Sequence, residues 1–363
     1  MNYGVMNSMS NQVARALQML PRMNADAVLV SDRANIRYLS GYTNDTGVLL
    51  LTEEESYLLT DFRFLFQAQQ EAKLFTVLDI AGKGYPYWIA ELCKKHGIQR
   101  LAFEQDAVTY AEYRTYSSEI KAELVGIPNY LSELRFIKTP EEISYIKEAE
   151  HIGDMAFSEI LPYLKPGVTE LEIAARLSFL MKMHGASADS FPAIVASGVN
   201  SSMPHAMPSD RKLAEGDFIT MDFGCIYRGY CSDMTRTVVL GKASERQKEI
   251  YEIVLRAQTE TLKAMRAGMM GQEVDAIARN VIRDAGYGEC FGHGLGHSVG
   301  LEIHESPNAN MRDRRILQPG MLMTVEPGIY VKDFGGVRIE DLVVIRENGI
   351  ENLTFSEKKL IEL

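Results

Sequence analysis

The second part of the sequence repeats one order of elements, helix, helix, strand, strand, although the two copies differ in wording. In the first copy, apolar spacing predicts these elements at about 140–162, 170–184, 217–223 and 230–240. In the second copy the same patterns cover about 245–267, 272–285, 321–326 and 337–346. The repeat restricts this region to a domain that is built from two matching halves.

Matching carboxylates mark the strands of both copies. Asp217-Phe-Ile-Thr-Met-Asp-Phe-Gly224 in the first copy corresponds to Met321-Leu-Met-Thr-Val-Glu-Pro-Gly328 in the second. Each segment has a carboxylate two residues after a threonine and two before a glycine. Because side chains alternate along a strand, Asp222 and Glu326 each share a face with that threonine. We therefore expect two acidic strands that point toward one place.

The next strand of each copy carries a further carboxylate, Asp233 in the first and Glu340 in the second. For any single one of these groups, the simpler explanation is an exposed carboxylate or a salt bridge to Arg236 or Arg338. Four carboxylates in repeat-related positions would repel one another, and two divalent cations would cancel their charge. The pattern favours an oxygen-rich metal site, which a nitrogen ligand would complete for manganese, cobalt, iron or zinc.

A glycine-rich stretch, residues 291–305, contains three of the seven histidines, His293, His297 and His304. The first two have the spacing of a helical metal pair, but glycine at alternate positions makes a helix improbable. The glycine pattern fits neither Gly-x-Gly-x-x-Gly nor Walker A, so nucleotide binding gains no support. A turn with incidental imidazoles is the plain alternative. We predict a tight loop whose backbone comes close to metals and substrate.

Composition argues against several classes of protein. The 363 residues predict about two domains, and the 46% apolar and 24% charged content is that of a globular chain. The net charge of -11 and the lack of a dense Lys/Arg run oppose nucleic-acid binding. Four scattered cysteines predict free thiols in a reducing compartment. Since neither a signal peptide nor a long apolar run is evident, we expect a cytoplasmic protein without a membrane partner.

Residues 10–130 alternate helical and strand patterns and predict a modest α/β domain. The strand candidates are 26–31, 47–51 and 56–60, and the helix candidates are 11–22, 61–73, 87–96 and 110–124. A strong helix start follows, with Thr139 as N-cap and Pro140 in the first turn. We therefore divide the chain into domains 1–133 and 134–363.

The ordered motifs resemble the pita-bread metallopeptidases, and among them the proline-specific Xaa-Pro aminopeptidases and Xaa-Pro dipeptidases (prolidases). The motifs are Met-Asp-Phe-Gly, Ser-Asp-Met-Thr-Arg-Thr, Gly-His-Gly-Leu-Gly-His, Val-Glu-Pro-Gly and Val-Arg-Ile-Glu-Asp. The resemblance is weak over 10–130 and strong over 134–363. It implies an α+β pita-bread (creatinase/aminopeptidase-like) catalytic domain with an internal pseudo-twofold repeat. A smaller, creatinase-like α/β N-terminal domain would precede it.

The resemblance also implies the residues of the site. The metal ligands would be Asp222, Asp233, His297, Glu326 and Glu340. Asp233 and Glu340 would bridge two divalent ions, with manganese favoured and cobalt, zinc or iron as alternatives. His293 and His304 would contact the substrate and transition state, and His205 would match the family's further active-site histidine. Arg63 is a candidate substrate contact, because the N-terminal domain reaches the partner's active site in related homodimers.

Physical arguments support these roles. Two metals roughly 3.5–4 Å apart can share a water, lower its pKa and polarise the scissile carbonyl, so that hydroxide attacks near neutral pH. Glu326 could pass a proton to the leaving nitrogen, which in an Xaa-Pro bond has no N–H. Arg338 could orient Glu340 or bind a substrate carboxylate, with a structural salt bridge as the alternative. Thr235 could support a ligand or be an ordinary strand residue, and Tyr330 could line the pocket or the core.

We predict the catalytic set His205, His293, His304, Glu326 and Arg338 in a dinuclear metallopeptidase that cleaves before proline in short peptides. A dipeptidase is favoured over an aminopeptidase because the N-terminal domain is compact. Two other classes compete: a binding module that keeps the fold without chemistry, and creatinase-like hydrolysis without metal. Relatives of either kind typically lack part of the acidic set, all of which is present here.

Overall fold

The computed structural model of the protein describes residues 3–363, with side chains from residue 11 onward. The chain divides into two compact units, and the division falls between Arg135 and Phe136. Within the described residues, no helix is both long and apolar enough to cross a membrane.

The unit that ends at Arg135 is built on one mixed sheet. Its helices are α1 Tyr3–Gln18, α2 Leu20–Met23, α3 Arg33–Ser40, α4 Leu65–Glu71, α5 Tyr85–Lys95 and α6 Tyr110–Glu119, followed by the short 3-10 helix Leu131–Arg135. Its strands are β1 Ala27–Val30, β2 Val48–Thr52, β3 Ser56–Thr60, β4 Thr76–Asp79, β5 Arg100–Glu104 and β6 Glu123–Ile127. The sheet order is β4-β3-β2-β1-β5-β6, and β1 lies antiparallel to β2 but parallel to β5.

One sequence-based assignment in this unit needs correction, and three elements were missed. The pattern over 110–124 predicts one helix, but α6 ends at Glu119 and residues 123–127 form β6. Helix α3 and strands β4 and β5 were not predicted at all. Each is no longer than eight residues, which is too short for apolar spacing to distinguish helix from strand.

The unit that begins at Phe136 contains the repeat. Its α-helices are α7 Pro140–Ile160, α8 Glu170–Met183, α9 Glu245–Ala264 and α10 Gly271–Asp284. Short 3-10 helices cover Leu161–Tyr163, Gly198–Ser202 and Gly288–Cys290. The strands of the first half are β7 Ala188–Asp189, β8 Ile194–Ser197, β9 Phe218–Phe223, β10 Cys225–Tyr227, β11 Tyr230–Cys231 and β12 Met234–Val239. The second half has β13 Gly296–Ser298, β14 Glu305–Ala309, β15 Leu322–Val325, β16 Gly328–Val331, β17 Gly335–Arg338, β18 Asp341–Arg346 and β19 Gly349–Asn352.

Both halves have the predicted order of two helices and an antiparallel strand pair. In the first half β9 pairs with β12 and β8, and in the second half β15 and β19 flank β18. The helix starts follow from local chemistry. Thr139, Thr169 and Ser244 each form a capping box, in which cap side chain and third-residue side chain satisfy each other's backbone N–H.

Burial of the apolar strand faces orients the acidic faces. Met221 packs in one core cluster with Ile152 of α7, and Met323 packs in a second cluster with Val254 of α9. All four side chains are fully buried. Because successive strand side chains point to opposite faces, Asp222 is directed away from the helices and into the interior of the repeat.

Candidate active site

The two halves bring three carboxylates together. Asp222 lies in β9, Asp233 precedes β12, and Glu340 lies between β17 and β18. One oxygen from each lies within 4.8 Å of the other two. The structure therefore gathers three of the four acidic groups that the sequence predicted to meet.

His297 approaches this cluster from β13. Its Nε2 atom lies 3.4 Å from Oδ2 of Asp233 and 3.5 Å from Oε1 of Glu326. Glycine makes the approach possible, because a Cβ at Gly296 would lie 2.0 Å from the backbone oxygen of Thr324. The Thr324 hydroxyl accepts a hydrogen bond from the backbone N–H of His297 at 3.0 Å. Gly296–Ser298 thus form a short strand held against β15, and the remainder of the glycine-rich stretch up to residue 304 is irregular, as the predicted loop would be.

The hydrogen bonds of His297 show which ring nitrogen has a free lone pair that faces the carboxylates. Its Nδ1 lies 3.1 Å from the backbone oxygen of Ser298, which can only accept, so Nδ1 carries the proton. Burial lowers the pKa of His297 to about 4, so the ring is neutral at pH 7. Nε2 is then an available lone pair beside these carboxylates, which is the arrangement of a metal-binding imidazole.

The carboxylates themselves fit a cation. Burial, with repulsion from Glu340, raises the pKa of Asp233 well above its usual range. Burial, with repulsion from Glu326, does the same to the pKa of Glu340, and burial raises the pKa of Glu326 to about 8. Oδ1 of Asp222 and Oε1 of Glu340 are among the buried oxygens without a hydrogen-bond partner in the described part of the chain. Crowded, partly unsatisfied oxygens beside a neutral imidazole suit divalent metal ions.

Arg338 connects to two carboxylates of the cluster through hydrogen bonds. Its side chain is buried, and Nη2 donates to Oδ2 of Asp222 at 2.6 Å. Nε donates to the hydroxyl of Thr235 at 3.1 Å, and that hydroxyl donates to Oε2 of Glu340 at 2.6 Å. Arg338 therefore pairs with Asp222 and reaches Glu340 only through Thr235. Of the roles that the sequence left open for Arg338, the structure shows the salt bridge, which is formed with Asp222.

Tyr330 extends this network to His293. The Tyr330 hydroxyl accepts from Nη1 of Arg338 at 2.8 Å and lies 3.0 Å from Nε2 of His293. The backbone oxygen of Gly294 accepts from Nδ1 of His293 at 2.8 Å, which leaves Nε2 to accept from Tyr330. Burial, with the nearby positive charge of Arg338, lowers the pKa of His293 to about 4. His293 is therefore a neutral ring in a fixed orientation.

A cavity of about 560 Å³ opens over the cluster, within the roughly 300–1,000 Å³ range of small-molecule sites. Its polar lining comprises His205, Asp222, Asp233, His293, His297, His304, Asn308, Asn310, Glu326 and Glu340, and its apolar lining includes Phe191, Pro192, Ile194, Met207 and Ile303. His205 and His304 are exposed, and the His304 ring lies 4.5 Å from that of His297, centroid to centroid. The predicted metal ligands and catalytic residues of this unit all line the cavity except Arg338, and the weaker candidates Thr235 and Tyr330 do not line it.

One buried residue beside the site, Glu150, was not predicted from the sequence. Glu150 of α7 is fully buried, and its Oε2 accepts from the backbone N–H of Asp233 at 3.2 Å. The signal was present, since Glu150 falls on the apolar stripe of α7 with Ile146 and Ala149.

The remaining candidate from the sequence, Arg63, lies in the other unit, where it is exposed and pairs with Asp61.

Comparison with known proteins identifies the class of this fold and site. A model of the metallopeptidase family M24 matches residues 144–347, and a model of the creatinase/prolidase N-terminal domain matches residues 12–137. The structure of an Xaa-Pro dipeptidase from Bacillus anthracis is 42% identical, with a TM-score of 0.96 over 98% of this chain and 100% of that one. An Xaa-Pro dipeptidase of Pyrococcus horikoshii is 37% identical over 98% of this chain and all of its own. An X-Pro aminopeptidase structure from Thermotoga maritima is 38% identical, with a TM-score of 0.89 over 95% of this chain and 100% of that one.

Fold and site together define a two-domain metallopeptidase of the pita-bread class, as the motifs predicted. More specifically, the chain belongs to the metallopeptidase family M24 and carries the creatinase/prolidase N-terminal domain. This membership confirms the predicted family, fold and enzyme class. It also implies divalent metal ions, which the carboxylate cluster fits.

Proposed function

We propose that this protein is an Xaa-Pro dipeptidase, which hydrolyses the bond between a residue and the proline that follows it. The observation that carries the proposal is the cluster of Asp222, Asp233 and Glu340 beside the lone pair of His297, in a cavity of peptide-binding size. The names of the Bacillus and Pyrococcus relatives supply the substrate class.

The proposed metal ligands are Asp222, Asp233, His297, Glu326 and Glu340. The resemblance to the family makes Asp233 and Glu340 the ligands that would be shared by two ions. In support, burial and neighbouring carboxylates raise the pKa of both groups well above their usual range, and Oε1 of Glu340 has no hydrogen-bond partner in the described residues. We propose manganese as the physiological metal, with cobalt, zinc or iron as alternatives that the same donors accept. When bound, two such ions lower the pKa of a water molecule and polarise the scissile carbonyl.

Proton delivery falls to Glu326 in this proposal. The leaving nitrogen of an Xaa-Pro bond is a tertiary amide without N–H, so it needs a proton as the bond breaks. Glu326 lines the cavity, and the hydroxyl of Thr324 donates to its Oε1 at 3.1 Å, which fixes the direction of the carboxyl group. As a carboxylate beside the attacking water, Glu326 would accept a proton from that water and pass it to the leaving nitrogen as the bond breaks.

In this proposal the histidines contact the peptide in two ways. His205 and His304 are exposed at the cavity, where their N–H groups can reach a bound peptide. Both ring nitrogens of His293 are already hydrogen-bonded, by the Gly294 oxygen and the Tyr330 hydroxyl, so we propose that this neutral ring contacts the substrate through its carbon edge. A donor to the developing oxyanion contributes about 2.7–4 kcal/mol in other enzymes. Arg338 keeps Asp222 and Glu340 in position, and the apolar lining accommodates the proline ring and the side chain before it.

The proposal extends to the rest of the chain. We propose residues 134–363 as the catalytic domain and 1–133 as the creatinase-like N-terminal domain. We further propose a cytoplasmic homodimer in which Arg63 of one protomer contacts substrate in its partner. In support, Arg63 is exposed, and Asp61 holds its guanidinium group by two hydrogen bonds.

An X-Pro aminopeptidase acting on longer peptides is the second candidate, favoured by the Thermotoga relative. The experiment that separates the two compares Leu-Pro with Leu-Pro-Gly as substrates of the manganese-loaded protein. A dipeptidase gives a kcat/KM for Leu-Pro at least tenfold above that for the tripeptide. The reverse ratio establishes the aminopeptidase, and no cleavage of either leaves the binding-module alternative.

A further inference from the structure

A buried lysine lies on the opposite side of the β13–β14 hairpin from the cavity. Nζ of Lys138 donates to Oε2 of Glu305 at 2.9 Å and to Oγ of Ser298 at 3.2 Å. The side chains of Lys138 and Glu305 are only 2% and 3% exposed. None of the three lines the cavity, and none belongs to the proposed ligand set.

The two acceptors of Lys138 adjoin the two functional histidines. Ser298 directly follows His297, and Glu305 directly follows His304. Ser298 and Glu305 are also opposite each other in the hairpin register. His297 and His304 line the cavity, whereas Ser298 and Glu305 do not line it and contact Lys138 instead, so the side that faces Lys138 lies behind the side that carries the imidazoles.

Further contacts tie the connecting loop to the same carboxylate. Oε1 of Glu305 accepts from the backbone N–H of Leu301 at 3.1 Å and of Glu302 at 3.3 Å. A Cβ at Gly300 would lie 2.6 Å from both oxygens of Glu305, so the loop fits closely around this group. The backbone of Lys138 is itself anchored, since its N–H donates to the oxygen of Gly320 at 3.0 Å.

Stability alone does not explain a lysine here. The desolvation of a buried ion pair offsets most of its attraction, and apolar replacements of similar volume are often as stable. The ammonium group instead fixes the position of the two strands of the hairpin relative to each other, because it donates to one side chain from each strand. We propose that Lys138 is a positioning residue that, through Ser298 and Glu305, sets the separation and orientation of His297 and His304. This inference rests on the proposed function, in which His297 binds metal and His304 binds the peptide.

The test compares three full-length variants with the parent chain. Lys138→Met removes the ammonium group. Lys138→Met/Glu305→Gln also removes the charge that the single variant would leave buried, while the amide that replaces the carboxylate keeps an oxygen for the loop N–H groups. Lys147→Met is the matched control, because Lys147 forms an exposed ion pair with Glu351, with side chains 45% and 37% exposed.

Each metal-free protein is titrated with Co²⁺, followed by visible absorption, and its melting temperature and kcat and KM for Leu-Pro are measured. Supporting groups behind a metal ligand typically change metal affinity or activity by about 10–100-fold. We expect the double variant to melt near the parent temperature but to bind Co²⁺ about 10–100-fold more weakly, with an altered Co²⁺ spectrum and a lower kcat. The Lys147→Met control should match the parent throughout.

A double variant that binds Co²⁺ with the parent affinity and spectrum and keeps its kcat overturns the role of Lys138. If the single variant does not fold, the double variant still decides. A parent chain that neither binds Co²⁺ nor cleaves Leu-Pro contradicts the proposed function, and the Lys138 inference with it, so the two failures are distinguishable.

Discussion

Nε2 of His297 lies 3.4 Å from Oδ2 of Asp233, although the two residues come from different halves of the repeat. A neutral imidazole is a poor ion-pair partner for a carboxylate, and burial keeps this ring neutral. We propose that the two side chains are ligands that converge on one cation.

Replacement of His297 by alanine should remove metal binding, whereas His304→Ala should spare it. His297 is the sole imidazole whose Nε2 lies within 4 Å of these carboxylates in the described residues. Loss of a direct ligand should weaken Co²⁺ binding by more than the roughly 10–100-fold typical of supporting groups. His304→Ala should keep the metals and lower kcat by about 10²–10³ if its ring stabilises the oxyanion. Equal Co²⁺ affinity in the two variants, measured by absorption titration, would contradict this division.

Arg338→Met should weaken metal binding, although the change leaves every residue that lines the cavity in place. The change removes the partner of Asp222 and the donor to Thr235, so both ligands lose their orientation. We expect Co²⁺ affinity to fall by about 10–100-fold. Arg346→Met is the control, since Arg346 forms a partly exposed pair with Glu351. If both variants bind Co²⁺ as the parent does, Arg338 is a structural residue only.

Gly296→Ala should destabilise the protein, and Gly292→Ala should not. A methyl group at Gly296 would meet the backbone oxygen of Thr324 at 2.0 Å, while one at Gly292 would meet no atom within 4 Å. Overpacking of this kind costs typically about 1–3 kcal/mol, and backbone cannot yield as a side chain can. Urea unfolding of the metal-free variants measures the difference. Equal free energies of unfolding would mean that β13 can move away from β15 at little cost.

Metal removal should lower stability by an amount that depends on metal concentration. Ligand that binds only the folded state at 100 times its Kd adds about 2.7 kcal/mol to the free energy of unfolding. We therefore expect Mn²⁺ to raise the melting temperature of the chelator-treated parent. The same addition to His297→Ala is the control. A shift of the same size in that variant would place the binding elsewhere in the chain.

The repeat region was predictable from sequence because its signals are long and redundant. Capping residues such as Thr139 and Ser244 mark the helix starts, and the carboxylates in β9 and directly after β15 fall at matching places. The helix predicted over 110–124 was wrong only at its C-terminal end, for a definable reason. Tyr116, Ile120 and Leu124 have helical spacing, but the last of them reaches the same core from β6 rather than from α6.

The partners of site residues were harder to predict, because they depend on how distant strands pack. Nothing in the local pattern indicates that Arg338 pairs with Asp222 rather than Glu340, since that choice depends on the approach of β17 to β9. The contact of Lys138 with Glu305 spans 167 residues and is equally invisible to periodicity. The convergence of Asp222, Asp233 and Glu340 could be predicted from the sequence, whereas the hydrogen-bond partners of these residues required the fold.

Hydrolysis of Leu-Pro and Leu-Ala, before and after metal is restored to chelator-treated protein, decides whether this chain is a metal-dependent, proline-specific peptidase. We expect no activity in the metal-free protein and recovery with Mn²⁺ or Co²⁺. The restored enzyme should cleave Leu-Pro at least tenfold faster than Leu-Ala. Cleavage of Leu-Pro that is indifferent to metal, or a restored protein that cleaves neither dipeptide, would contradict this expectation.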